Sequence, residues 1–134
     1  MSESTAEFFQ KMQEFLPSTK EMYNKSLMKY GEVLETIMIE DVFMPPILEL
    51  LSENKEIQLL ESIFKYFEEI AGGNDLHLKN VFSITVLEIL GNDKMILETA
   101  KQYMGIKTAA LQIKADEELG REVYDRKIEK ANRI

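Results

Sequence analysis

The chain has 134 residues, with 24 acidic and 16 basic side chains, one histidine and no cysteine, for a formal net charge of −8. Its hydrophobic share of 45% supports one domain with a real core and is too high for a disordered chain. The missing cysteines exclude disulfides, thiolate metal sites and a cysteine nucleophile, and the negative balance makes phosphate backbones and anionic lipid poor partners.

In chain order, Ser4-Thr-Ala-Glu7 has the spacing of a capping box, so a first helix is predicted to begin at Ser4. Phe8, Met12, Phe15 and Leu16 fall on one face, and Pro17 ends it. Ser18-Thr-Lys-Glu21 repeats the box and starts a second helix, with Met22, Leu27 and Tyr30 at apolar positions and Gly31 at or near its end. Residues 32–44 read as another helix through Val33, Leu34, Ile37, Met38, Val42 and Phe43. Pro45-Pro46 must break or bend it, although proline suits a first turn, so helix can restart at once.

After SENK comes the clearest helix, EIQLLESIFKYFEEI. Ile57, Leu60, Ile63, Phe64, Phe67 and Ile70 make its apolar stripe, with Glu61, Lys65 and Glu68 opposite. A GGND turn at 72–75 leads to residues 76–90, apolar nearly all round and expected to be the most buried element. Their β-branched run has no second strand to pair with. A helix over 94–104, an interruption at Gly105 and a helical stretch over 107–130, with Gly120 as a potential break, complete the chain.

ILELLSENKEI, from Ile47, aligns with VLEILGNDKMI, from Val86, at an offset of 39. Leu48, Glu49, Leu51, Lys55 and Ile57 meet Leu87, Glu88, Leu90, Lys94 and Ile96 as identities, and Phe64 meets Tyr103. A period near forty built from helical pairs is the spacing of HEAT-type repeats. The expected fold is all-α: a short stack of helical hairpins resembling a right-handed HEAT solenoid, with a closed helical bundle as the alternative. One domain over 1–134 divides into an N-terminal hairpin (4–31), two repeat-like hairpins (32–71 and 75–105) and a C-terminal helical region (106–130).

No catalytic constellation emerges, so the chain is read as a non-enzyme without cofactor or metal. His77 has no nucleophile-elbow serine near it, and Asn74 stands where a helical di-metal motif needs glutamate. Asp116-Glu117-Glu118 reads as a solvated helix face, and most of the eight methionines read as core. Residues 97–115 offer a helix-turn-helix around Gly105, with Lys107, Thr108, Gln112 and Lys114 available to a groove, but Lys101 stands at its alanine position. The start of the chain lacks the basic and unbroken apolar segments of a signal peptide, and no run is long enough to span a membrane, so a cytoplasmic protein is expected.

The stretch IFKYFEEIAGGNDLHLKNVFSITVLEILGNDKMILETAKQYMG resembles small acidic all-helical bacterial proteins of unassigned function, some regarded as immunity proteins of toxin systems. The resemblance spans residues 33–120 and rests on the TVLEILGND turn and the YMG helix end. It implies a binding role and transfers no active-site pattern. Charge and resemblance together lead to a module that masks a basic protein, with Glu61, Lys65, Glu68, Glu69 and Asp75 as candidate contacts. A structural homodimer and a helix-turn-helix regulator are the alternatives.

Overall fold

The computed structural model describes residues 2–121, which are helical with no strand. Helix α1 (Glu3–Phe15) begins ahead of the expected Ser4 because Ser2 is its cap. The Ser2 hydroxyl accepts from the Thr5 amide at 3.1 Å and donates to Asp75 Oδ2 at 2.7 Å. A contact 73 residues away holds Ser2 in that role, in place of the expected Ser4. The second box at Ser18 is unused. Pro17–Thr19 form a 3-10 turn whose Thr19 hydroxyl donates back to Leu16 O at 2.6 Å. Helix α2 (Lys20–Tyr30) then runs to Gly31, whose φ of +74° suits glycine. None of its residues is buried. Met22, Leu27, Met28 and Tyr30 stay exposed, and Tyr23 reaches in to Phe9 and Phe43 with ring centroids 6.2 and 6.3 Å away.

The paired prolines do not end their helix. Helix α3 (35–53) is α-helical over Glu35–Met38, widens to a π turn over Ile39–Phe43 and resumes over Met44–Glu53. Pro45 and Pro46 lack amide hydrogens, and their rings would press on carbonyls one turn back. The wider turn, closed by the Met44 amide on Ile39 O, lies where those carbonyls are and eases the crowding. Asn54, at φ +48°, turns the chain into α4 (Ile57–Ala71). Asp75 caps α5 (76–90), which has its own π segment at Ser83–Leu87 where the Thr85 hydroxyl bonds Val81 O. The two π segments pack on each other. Asp93 caps α6 (Lys94–Tyr103), accepting from Met95 and Ile96 amides at 2.9 and 3.1 Å. Helix α7 (Ile106–Glu118) ends the described helices; the expected helical residues 122–130 lie outside the described residues.

Contacts at the helix ends set the directions. Ser2 meets Asp75, Glu35 Oε2 lies 2.7 Å from His77 Nε2, and Lys107 lies over Gly72, so α1, α3, α5 and α7 all start at one end. Helices α4 and α5 centre the core: α4 packs against α5, α6 and α7, and α5 also packs against α3, α6 and α7. Phe8 and Phe15 of α1 reach its Tyr66. A chain of rings, Tyr103, Phe64, Phe67 and Phe82, ties α6, α4 and α5 together. Helix α5 shares the interior with α4 and is not the single most buried element: Leu76 and Ile84 face solvent. Asp116 departs from the solvated face read for it and is buried beside Arg121. Met12, Met38 and Met44 are core, while Met22, Met28 and Met95 are exposed.

The residues paired by the 39-residue offset play unequal parts. Asn54 closes the end of α3, whereas its counterpart Asp93 opens α6. Phe64 and its counterpart Tyr103 pack directly on each other, 5.9 Å between ring centroids.

Candidate binding groove

Helix α4 presents residues 57, 61, 65, 68 and 69 toward the C-terminal end of α6, and an open groove of about 740 Å³ lies between them. Half-buried Tyr103, packed on the fully buried Phe64, forms its apolar floor. Ile57, expected within the buried stripe, is 50% exposed at its edge because it is the first residue of α4 and has no preceding turn to cover it. Exposed Glu61, Lys65 and Glu69 form one rim and Gln102 belongs to the other. The Tyr103 hydroxyl donates to Asn54 Oδ1, fixing the α3–α4 turn to the end of α6.

Glu68 does a different job. Its Oε2 accepts from the Lys107 amide at 3.0 Å, and its Oε1 accepts from the Thr108 amide and hydroxyl, both at 2.8 Å. It therefore caps α7 from another helix, in place of the side-chain cap that Gly105 cannot supply. Burial raises its pKa, but the bonds from Lys107 and Thr108 and the Lys107 charge outweigh that and hold it below its ordinary 4.5. Gly105 makes the contact possible: a Cβ there would sit 2.6 Å from both Glu68 carboxylate oxygens.

Glu68→Ala is expected to destabilise the protein by about 1–2 kcal/mol, the usual worth of a helix cap. Gly105→Ala should cost a similar amount by evicting the carboxylate, and the double variant little more than either alone. The folded-state pKa is the lower one, so this contribution is complete above the unfolded glutamate value and fades as pH falls through the folded value. Urea unfolding at pH 7 and pH 3 checks this: the gap between Glu68→Ala and the parent should narrow at pH 3. An additive double variant would show that the two residues act separately.

Asp75 lies away from the groove. Hydrogen bonds from the Ser2 hydroxyl and the Leu78 amide lower its pKa against desolvation, with smaller help from the His77 amide and charge. Four of the five candidate contacts thus line one groove, with Glu68 committed to α7, while Asp75 lines a second cavity that shares Glu69. Asn54, Gln102 and Tyr103 were not among the candidates; the Phe64 to Tyr103 match was the one sequence signal for the far wall. In the 97–115 segment, Thr108 and Gln112 are buried, so two of the four side chains proposed for a nucleic-acid groove face inward.

Fold and groove define a small all-helical protein with an open, mixed apolar and acidic cleft. The chain belongs to the family described as a domain of unknown function, DUF7674, whose model matches residues 9–120. No curated protein and no solved structure matches it. Among the described residues, no helix is long and apolar enough to cross a membrane.

Proposed function

We propose that the protein is a non-catalytic binding module, of the immunity or antitoxin kind, that masks a basic protein through the α4–α6 groove. The observation carrying this reading is the groove: an apolar floor of half-buried Tyr103 and half-exposed Ile57, backed by the fully buried Phe64 and edged by Glu61 and Glu69 on a chain of net charge −8. An apolar floor supplies affinity, and the surrounding charge steers a cationic partner and rejects anionic ones.

Affinity capture from lysate of the protein's source, at low and moderate salt, tests it. The expected result is one stoichiometric basic protein, lost as salt rises. With that partner, Glu61→Gln/Glu69→Gln should slow association at low salt by about three- to tenfold and leave the unfolding midpoint unchanged. An unchanged association rate sinks the groove assignment. Capture of the chain by itself would favour a homodimer through exposed Met22, Leu27, Met28 and Tyr30 of α2.

A further inference from the structure

A smaller cavity of about 160 Å³ lies where α1 meets the end of α4 and the turn into α5. Three carboxylates, Glu7, Glu69 and Asp75, line it, and among the described residues no basic side chain does. Asp75 is held in place by the Ser2 hydroxyl on Oδ2 and the Leu78 amide on Oδ1, at 2.7 and 3.0 Å. Tyr66 also lines the cavity. Its side chain is only 9% exposed, with the ring packed between Phe8 and Phe15 at 6.3 and 6.0 Å. Its hydroxyl has no hydrogen-bond partner among the described residues and faces the charges of Glu7 and Glu69, which, after burial, raise its pKa.

The Tyr66 ring is buried while its hydroxyl opens toward the cavity without a protein partner among the described residues, and three carboxylates gather like charge around the same opening. One ligand suits both: a cation with several N–H donors, giving hydrogen bonds to the carboxylates and to the phenol oxygen. The cavity is too small for a chain segment but admits the end of one side chain. Glu69 lines it and the larger groove alike, so a protein lying in the groove passes its mouth. We propose that this cavity is a socket for one arginine or lysine side chain of a protein partner. This rests on the basic-partner reading above and names the contact that would anchor it.

The test is a titration of the full chain with doubly capped arginine (N-acetyl-arginine amide), followed by amide resonances. The neutral isostere N-acetyl-citrulline amide serves as control. Saturable shifts are expected at Gly73, Asn74, Asp75 and Leu78 with the cation alone. Tyr66→Phe should weaken binding about tenfold, the loss of one hydrogen bond to a charged group. Glu7→Gln/Glu69→Gln should abolish it without changing the melting temperature. Equal response to citrulline, no saturable shift at 73–78, or shifts confined to 102–105 would each overturn the socket. Tighter binding of spermidine than of capped arginine would reassign it to a free polyamine and overturn the side-chain assignment. If a basic protein is captured while the socket stays silent, the masking role stands and the socket falls; the opposite pattern keeps the socket and removes the masking role.

Discussion

Replacing Phe67 by alanine is expected to destabilise the protein by about 3–5 kcal/mol, the range for deleting a large core aromatic. Phe67 is completely buried, and its ring centroid lies 5.1 Å from both Phe64 and Phe82, at interplanar angles of 68° and 60°. The substitution therefore removes apolar burial, leaves a cavity and breaks two tilted or edge-on ring pairs at once. It does so in the helix against which α5, α6 and α7 all pack. The surrounding walls are helices held at several other points, so collapse into the void should be slight. Domains of this size are stable by only about 5–15 kcal/mol, so the alanine variant should lose a large share of its margin. Phe67→Leu keeps most of the volume and should lose about 1–1.5 kcal/mol, which keeps the test usable if the alanine variant does not fold. Equilibrium urea unfolding measures both. A loss below 1 kcal/mol for the alanine variant would show that the α4–α5 seam is not the cooperative centre.

Phe67 was legible as core because helical periodicity is a property of a few neighbouring residues. The same signal identified Leu60, Ile63, Phe64 and Ile70, and it put Glu61 and Lys65 on the face that now borders the groove. It failed wherever a distant partner made the choice. Ser4 has the capping-box spacing, yet the cap used is Ser2, which bonds Asp75. Glu68 looked like any solvated helix carboxylate, yet its partners are the Lys107 and Thr108 amides, some forty positions on. Tyr66 sits one position before Phe67 and outside the apolar stripe; it is buried because α1 folds over it. The π turns in α3 and α5 have no periodic signature, and one of them let a helix run through two prolines that ordinarily stop it. The far wall of the groove, Gln102 and Tyr103, belongs to another helix, so no pattern within α4 could point to it.

The polar cluster at the other end of α7 is the case where sequence reading was furthest from the structure, and it yields the second large effect. Arg121→Ala is expected to cost about 2–3 kcal/mol, less than a fully buried pair because the arginine side chain is 26% exposed. Its Nη1 donates to Glu88 O at 3.0 Å and pairs with Asp116 Oδ1 at 3.3 Å, while Nη2 bonds Asn92 Oδ1. Gln112 completes the cluster, its Nε2 donating to Leu87 O at 2.9 Å and to Asp116 Oδ1 at 3.2 Å. Removing the guanidinium leaves a carboxylate that is 7% exposed with only an amide beside it, and it frees two acceptors on the α5–α6 turn. Gly91 provides the space. A Cβ there would fall 2.6 Å from Asp116 Oδ1 and onto the Arg121 guanidinium. Because Gly91 has φ −74°, which any residue adopts, Gly91→Ala carries no backbone strain, and its cost must come from displacing that cluster. Gly91→Ala should therefore reproduce much of the Arg121→Ala loss in the parent and cost clearly less when Arg121 is already alanine, where only the contact with Asp116 and Gln112 remains. Urea unfolding of the two single variants and the double variant measures the coupling. If Gly91→Ala costs as much without the arginine as with it, the glycine is not serving the guanidinium, and the clash with Asp116 alone must carry the effect.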